Sequence, residues 1–353
     1  MSEDRDIVIQ LSDNAKLGRS SSVSYSLSVL EICAGAGGQS SGLEVAGFGH
    51  ELAVEIDHDA AATLRLNRPA WNIHEGDVRD IDGGDFKGID LLAGGVPCPP
   101  FSIAGKQLGA DDERDLFPEA LRLVREANPT AVMLENVRGL ASARFASYRH
   151  SVISQLEDLG YTADWQLLYS SSYGVPQLRP RFILVAFKHK LAGRFAWPEP
   201  VGTPPTVGDK LQSLMGANGW KGAEAWASRA DSVGPTIVGG SKKHGGADLG
   251  PTRAKAAWLQ LGVDGKGVAD EAPAANAPLN LIPRLTNRMV ARVQGFDDGW
   301  QFFGKKTSVY RQIGNAFPPP VAASIGKAIR RVLQPEFEAE HIAVAEIAKL
   351  VSA

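Results

Sequence analysis

Residues 28–44 read Ser28-Val-Leu-Glu-Ile-Cys-Ala-Gly-Ala-Gly-Gly-Gln-Ser-Ser-Gly-Leu-Glu44. An apolar strand runs into a glycine-rich turn that opens a helix, which is the start of a nucleotide-type βαβ unit. The next predicted strand, residues 51–56, carries Glu55 twenty positions after Gly35, where an acid can accept hydrogen bonds from ribose hydroxyls. The pattern favours a cofactor site, and a purely structural glycine turn stays open as the alternative.

Strands and helices continue to alternate along the chain. Strands are predicted at residues 71–75, 89–93, 130–134, 162–169 and 181–187, and helices at 116–126, 145–159, 285–293 and 321–333. This order predicts an α/β fold, in which ligands collect at the carboxyl edge of the sheet. Asp77 lies at that edge and could hold an exocyclic amine such as that of adenine.

The composition shifts divide the chain into four expected parts. Residues 1–26 form a polar N-terminal extension. Residues 27–194 and 311–353 form the α/β domain, and residues 195–283 form a separate module that is rich in proline and glycine. Residues 284–310 link the module back to the α/β domain.

Cys98 lies on the loop after the strand predicted at 89–93, in the run Val96-Pro-Cys-Pro-Pro-Phe-Ser102. Proline fixes φ, so the flanking prolines stiffen the loop in a way that suits a nucleophile. Glu135 follows the neighbouring strand. A thiolate can add to an electron-poor ring while a carboxylic acid donates to a ring nitrogen, and Arg179 and Arg181 would favour the thiolate. A small buried core cysteine is the alternative.

The chain has 353 residues, a formal net charge of -3 and an ordinary globular composition. Its two cysteines cannot build a disulfide framework and no Cys/His spacing is typical of zinc, so we expect free thiols and no metal. No secretory signal or membrane-spanning apolar run is visible, which predicts a cytoplasmic protein without membrane contact. Basic residues cluster at 179–194 and 284–311, which is typical of phosphate binding, with ordinary surface charge as the alternative.

These stretches, in this order, resemble motifs of the cytosine-C5 DNA methyltransferases, a family that uses S-adenosylmethionine. The motifs are Ala34-Gly-Ala-Gly-Gly38, Glu55, Gly76-Asp-Val78, Val96-Pro-Cys-Pro-Pro-Phe-Ser102, Glu135-Asn-Val137, Gln177-Leu-Arg-Pro-Arg181, residues 284–296 and Gln312-Ile-Gly-Asn-Ala-Phe-Pro318. The resemblance implies a Rossmann-like class I methyltransferase sheet with helices on both faces. It also implies that the module at 195–283 is a smaller, loop-rich target-recognition domain.

The resemblance implies a role for each site residue. Cys98 would attack C6 of a flipped-out cytosine, Glu135 would assist at N3, and Arg179 and Arg181 would hold the base and its phosphate. S-adenosylmethionine would donate the methyl group and leave as S-adenosylhomocysteine. Its implied contacts are Gly35, Ala36, Gly37, Gly38, Glu55, Ile56, Asp77, Val78, Pro97, Asn315 and Ala316.

Double-stranded DNA is the partner that the resemblance implies. The implied DNA-binding residues are Ser102, Lys106, Gln177, Thr236, Lys242, Lys243 and Arg253. For the basic residues among them, phosphate contact and base readout are both open. The loop at 102–115 is expected to close over the DNA. We further expect a monomer, with a cognate restriction endonuclease that acts separately.

Two positions depart from the family pattern. Cys33 stands where phenylalanine is usual, which weakens one stacking contact to adenine. Pro99 replaces the commoner glutamine and stiffens the nucleophile loop. Neither change removes a chemical group from the implied mechanism.

Three alternatives stay open. The first is a transfer-RNA cytosine methyltransferase on the same core, against which the size of the module at 195–283 argues. The second is a catalytically silent DNA-binding homologue, against which the presence of both Cys98 and Glu135 argues. The third, a dinucleotide oxidoreductase, is suggested by the glycine turn alone.

Overall fold

The computed structural model describes residues 27–97, 115–240 and 246–336. Within them a seven-stranded sheet has the order β3-β2-β1-β4-β5-β7-β6. The strands from β3 to β5 pair in parallel, whereas β7 runs antiparallel to both β5 and β6. The strands are β1 (Leu27–Ile32), β2 (Phe48–Glu55), β3 (Ile73–Glu75), β4 (Leu91–Gly94), β5 (Ala131–Val137), β6 (Tyr161–Tyr169) and β7 (Pro180–Lys188). The predicted α/β class is confirmed.

Helices cover both faces of the sheet. Alternate residues of a strand point to opposite faces, so Leu30 of β1 shares a core with α3 and α4, while Val29 shares a different core with α1 and α11. This double burial explains why the parallel strands are almost continuously apolar. The helices of these layers are α1 (Gly38–Val45), α2 (His58–Asn67), α3 (Phe117–Ala127), α4 (Ala146–Asp158), α5 (His189–Ala192) and α11 (Pro319–Leu333).

A further core is built from the helices between β7 and α11. Trp220, Trp226, Trp258 and Trp300 are its largest buried side chains. The predicted module at 195–283 and the predicted linking segment at 284–310 both contribute to this core, so the boundary between them stays a prediction. The helices are α6 (Val207–Met215), α7 (Ala223–Arg229), α8 (Thr252–Gln260), α9 (Asn287–Gln294) and α10 (Lys306–Asn315).

The strand that carries Glu135 is longer than predicted. The sequence predicted a strand at 130–134 with Glu135 after its end, whereas β5 continues through Val137. Antiparallel pairing with β7 extends it, because Glu135 lies opposite Ile183 and Val137 opposite Arg181. On the other side β4 ends at Gly94, opposite Leu134, so Glu135 still lies beyond the end of its parallel neighbour.

No helix in the described ranges has the length and apolar character needed to cross a bilayer.

Candidate active site

A cavity of about 580 Å3 opens at the carboxyl ends of β1, β2 and β3. This volume is typical of small-molecule sites. Gly35 and Gly37, in the turn after β1, have φ values of 57° and 88°, which glycine adopts without strain. A Cβ at Gly37 would lie 2.4 Å from the ring of Trp300, whose Nε1 donates to the Ala36 carbonyl at 3.1 Å. Trp300 therefore fixes the turn that forms one wall of the cavity.

Glu55 forms the adjoining wall at the end of β2. Its two carboxylate oxygens accept hydrogen bonds from the Gly35 and Asp57 amides, each at 2.7 Å. Burial raises the pKa of Glu55, and the bonds from these two amides act in the opposite direction. Each oxygen keeps a second lone pair, so this oriented carboxylate can also accept from ligand hydroxyls.

Asp77 follows β3 at the far side of the same cavity. It accepts from the Arg79 amide at 3.0 Å and from the Arg79 guanidinium at 2.9 Å. These bonds, the one from the amide above all, hold the pKa of Asp77 below its ordinary value. Asp77 is therefore a charged acceptor, which suits an exocyclic amine.

The structure brings most of the predicted cofactor residues to this one cavity. Gly37 is the exception, since it does not line the cavity and instead packs against Trp300. The predicted residues that line it are Gly35, Ala36, Gly38, Glu55, Ile56, Asp77, Val78, Pro97, Asn315 and Ala316.

A second cavity, of about 590 Å3, lies between the end of β5, the segment that leads into β7 and the segment at 236–238. Glu135, Gly95, Pro97 and Asn315 line both cavities. A ligand in the first cavity and a ligand in the second cavity would therefore both lie next to Glu135. This adjacency is the geometry that a transfer reaction between two ligands requires.

Glu135 is buried and lies against Arg181, with its Oε1 2.6 Å from the arginine Nε. Burial raises the pKa of Glu135, while Arg181 and the more distant Arg179 act in the opposite direction. A raised pKa favours the protonated carboxyl, which can donate to a bound ring nitrogen. The structure therefore brings Glu135 and Arg181 together, and their predicted roles toward a bound base stay predictions.

Asn136 ties β5 to the loop that leads toward Cys98. Its Nδ2 donates to the Val96 carbonyl at 2.9 Å, and both groups are buried. Cys98 itself lies outside the described residues, as do Ser102, Lys106, Lys242 and Lys243. Their predicted roles stay predictions.

Arg179 lines the second cavity and is held there by hydrogen bonds to the main chain. Its side chain is fully buried and donates to three main-chain carbonyls, and its predicted contact with the target base and its phosphate stays a prediction. Its terminal nitrogens lie 2.7 Å from the Ile237 oxygen, 2.8 Å from that of Gly314 and 2.7 Å from that of Ala316. Arg179 also has a φ of 23°, an uncommon value for a residue with a side chain. The geometry assigns it to holding three chain segments together.

Gln177 belongs to the same buried network, but it is fully buried and lines neither cavity. Its Nε2 donates to Gln294 and its Oε1 accepts from the Ile237 amide, both at 2.7 Å. This corrects its predicted DNA contact, because both amide atoms are already bonded within the protein. Thr236, next to Ile237, lines the second cavity, whereas Arg253 is exposed on α8 and lines neither cavity.

Several residues of the first cavity were missed by the sequence reasoning. Gln312 begins one of the motifs quoted above, and Arg311 directly precedes it. Gln39 directly follows the glycine turn. Their closeness in sequence to predicted cofactor residues was the available signal. No group of His, Cys, Asp or Glu side chains in residues 27–97, 115–240 and 246–336 could hold a metal ion. The added lining residues are Gln39, Asp57, Arg79, Leu116, Arg311, Gln312 and Phe317, and Cys33, which the sequence analysis placed at the adenine-stacking position, lines the cavity as well.

Comparisons with known proteins agree with this geometry. Residues 27–331 match the family model described as C-5 cytosine-specific DNA methylase. The chain is 61% identical over 323 residues to the type II methyltransferase M.NaeI of Lentzea aerocolonigenes, covering 90% of this chain and 78% of that protein. It is 53% identical over 311 residues to the type II methyltransferase M.NgoMIV of Neisseria gonorrhoeae, covering 87% of this chain and 98% of that protein.

Solved structures support the fold. The DNMT2 protein of Spodoptera frugiperda superposes with a TM-score of 0.62 at 17% sequence identity, over 86% of this chain and 99% of that one. The family match spans both cavities and the buried network between them. The chain therefore belongs to the family of C-5 cytosine-specific DNA methylases.

Proposed function

We propose that this protein transfers a methyl group from S-adenosylmethionine to C5 of a cytosine within a specific duplex DNA sequence. The observation that carries the proposal is the position of Glu135. It is a buried carboxyl beside Arg181, on the wall that the two cavities share. One cavity would hold the methyl donor and the other the target base.

The first cavity fits S-adenosylmethionine in its chemistry. Glu55 would accept hydrogen bonds from the ribose hydroxyls, and Asp77 would accept from the adenine amine. Ile56 is 69% exposed at this cavity and offers an apolar surface to the adenine ring. When bound, S-adenosylmethionine supplies a methyl group that its sulfonium activates for nucleophilic attack. The chain would position that methyl group and exclude water.

The second cavity would receive cytosine swung out of the duplex, because C5 and C6 cannot be reached within the base stack. Glu135 would donate to N3 while the Cys98 thiolate adds to C6, which makes C5 nucleophilic. After methyl transfer, loss of the C5 proton and elimination would release Cys98. Arg181 would hold the Glu135 carboxyl and the base in place. Asn136 would position the loop that leads to Cys98, through its bond to Val96.

The DNA would lie across the second cavity and the module at 195–283. Thr236 lines the cavity and would contact the backbone next to the flipped nucleotide. The predicted contacts of Ser102, Lys106, Lys242, Lys243 and Arg253 belong to the same surface in this proposal. Because M.NaeI and M.NgoMIV are named type II methyltransferases, we infer that the protein protects DNA from a cognate restriction endonuclease that acts separately. It would act as a monomer.

Bisulfite sequencing of DNA from cells that express the protein tests the activity and the target together. We expect 5-methylcytosine at one recurring duplex sequence, and none with Cys98→Ala. The purified Cys98→Ala variant should still bind S-adenosylhomocysteine and duplex DNA, which separates lost chemistry from lost folding. Parallel methyl-transfer assays on duplex DNA and transfer RNA test the substrate. The proposal fails if wild type adds no methyl group to duplex DNA.

A further inference from the structure

The side-chain amide of Gln39 is buried but has no hydrogen-bond partner among the described residues. Its side chain is 4% exposed, it lines the first cavity, and neither its Oε1 nor its Nε2 has a partner there. Buried amide groups are nearly always hydrogen-bonded, because leaving them unpaired is unfavourable. The missing partner is therefore expected to be a ligand of the cavity.

The surroundings of Gln39 indicate which part of a ligand it would meet. It lies in the first turn of α1, which has no side-chain cap and no acidic residue, so the positive end of the helix dipole is uncompensated. A Cβ on the preceding Gly38 would lie 2.3 Å from the Phe317 carbonyl and 2.9 Å from the Ala316 Cβ. Gln39 thus follows β1, directly after a residue that packs against the C-terminal segment, whereas Asp77 follows β3, two strands away in the sheet.

We propose that Gln39 binds the amino-acid end of S-adenosylmethionine. An amide offers one acceptor oxygen and two donor hydrogens, which match the ammonium and carboxylate groups of an α-amino acid. With adenosine held at Glu55 and Asp77, the opposite end of the ligand reaches the wall that contains Gln39. The inference rests on the proposed use of S-adenosylmethionine, and it adds a residue that binds its amino-acid end.

Gln312 provides a matched comparison in the same cavity. Its Oε1 accepts from Thr63 at 2.7 Å and its Nε2 donates to the Phe303 carbonyl at 2.8 Å. Both of its amide atoms are therefore bonded within the protein, and it has a structural role. Replacing Gln312 should weaken every ligand of the cavity to the same extent, whereas replacing Gln39 should affect only ligands that carry the amino-acid group.

Calorimetric titration of Gln39→Met tests this selectivity, because methionine keeps the length of glutamine without its donor or acceptor. The two probes are S-adenosylhomocysteine and methylthioadenosine, which lacks the amino-acid group. We expect Gln39→Met to weaken S-adenosylhomocysteine binding roughly tenfold or more, as for the loss of a hydrogen bond to a charged group. Methylthioadenosine should bind both proteins equally, and Gln312→Met should lower affinity for the two probes alike.

The melting temperature without ligand gives a second, independent readout. Gln39→Met should raise it, because an unpaired buried amide is replaced by an apolar group of similar shape. A purely structural Gln39 would instead lower both the melting temperature and the affinity for the two probes. Equal losses for both probes, or no loss, overturn the inference. If wild type binds neither S-adenosylhomocysteine nor S-adenosylmethionine, the proposed function itself fails, which is a distinguishable result.

Discussion

The two cavities share Glu135 but are built in opposite ways. The first is formed largely by residues 33–79, which follow three neighbouring parallel strands and are held by hydrogen bonds between nearby positions, such as that from the Gly35 amide to the Glu55 carboxylate. The second combines β5, the residues before β7, the segment at 236–238 and the end of α10. Its segments are joined by Arg179, whose hydrogen bonds cross 58, 135 and 137 positions of sequence.

The first cavity should therefore mainly determine ligand affinity, whereas the second depends on how distant segments of the chain are held together. A cavity made by a local βαβ unit forms once its strands pair, so substitutions there should change ligand affinity. A cavity made by distant segments depends on the buried polar network that holds them, where losing one member leaves several groups unpaired. Substitutions in the second cavity should therefore change DNA use and stability, while S-adenosylhomocysteine binding persists.

Glu135→Gln gives the largest expected effect. The amide keeps the shape of the carboxyl but cannot transfer a proton, so we expect kcat for methyl transfer to fall by about 10²- to 10⁴-fold. Single-turnover transfer to a duplex oligonucleotide measures this directly. Wild-type kcat should also decline on the alkaline side as the raised pKa of Glu135 is passed, because its proton is then lost.

The control for Glu135→Gln is ligand affinity. S-adenosylhomocysteine should bind within about twofold of wild type, because the first cavity is built mainly by other residues. A kcat that is unchanged, or an affinity that falls as far as kcat, would contradict the separate roles of the two cavities.

Arg179→Ala should have the next largest effect. It leaves three main-chain carbonyls without their charged donor, so we expect the free energy of unfolding to fall by about 3 kcal/mol. Arg179→Lys should recover part of this loss, because one ammonium cannot replace the planar fork of arginine. Urea denaturation measures the change. Because Ile237 neighbours Thr236, we also expect a higher KM for DNA.

Arg149 is the matched control for Arg179. It also donates to main-chain carbonyls, those of Leu140 and Ser142, but lines neither cavity. Arg149→Ala should lower stability without changing the KM for DNA. An equal rise in KM for both variants would mean that Arg179 acts through general stability alone.

Much of the first cavity could be predicted from the sequence, because the signals for its strands and its glycine turn are local. Apolar runs and glycine spacing located β1 and the turn after it, and Glu55 was placed at the correct distance from Gly35. Motif resemblance identified the residue types of the second cavity but not where their side chains point. Arg179 was predicted to face the substrate, but the sequence did not show that its hydrogen-bond partners come from segments whose approach depends on the whole fold.

Two further details could not be predicted for the same reason. The extension of β5 through Glu135 depends on pairing with β7, which follows almost fifty residues later. The Gln39 amide is unpaired because no surrounding donor or acceptor among the described residues lies within hydrogen-bonding distance. Sequence spacing does not predict such an arrangement. Local patterns predicted the elements, while the directions of buried polar side chains required tertiary contacts.

Gly239→Ala tests the contact between the segment at 236–238 and α10 with a smaller effect. A Cβ there would lie 2.5 Å from both the Arg311 carbonyl and the Asn315 Oδ1, so the segment must shift. We expect the free energy of unfolding to fall by about 1–3 kcal/mol, together with a higher KM for DNA. Gly193→Ala, where a Cβ meets nothing within 4 Å, is the control and should change neither quantity. A Gly239→Ala variant with unaltered DNA kinetics would show that this contact does not position the segment.

The smallest expected effect concerns Cys33, in the wall of the first cavity. Burial raises the pKa of its thiol, and the carboxylates of Glu55, Asp77 and Glu31 raise it further. The folded state therefore favours the thiol, and the resulting stability is present below the ordinary cysteine pKa and lost as pH rises above it. Because the thiolate is the reactive form, iodoacetamide at pH 8 should label Cys33 in the folded Cys98→Ser variant far more slowly than in the same chain in urea.

Mass spectrometry of the labelled peptide measures the rate, and Asp77→Asn provides the sharper comparison. Removing one of the surrounding charges should lower the thiol pKa and speed labelling modestly, leaving the rate in urea unchanged. Added S-adenosylhomocysteine should slow labelling further, because Cys33 lines the cavity it would fill. If folded Cys33 is labelled rapidly and the ligand does not slow the labelling, this thiol lies outside the ligand site. The first cavity would then not be the ligand-binding unit formed by residues 33–79.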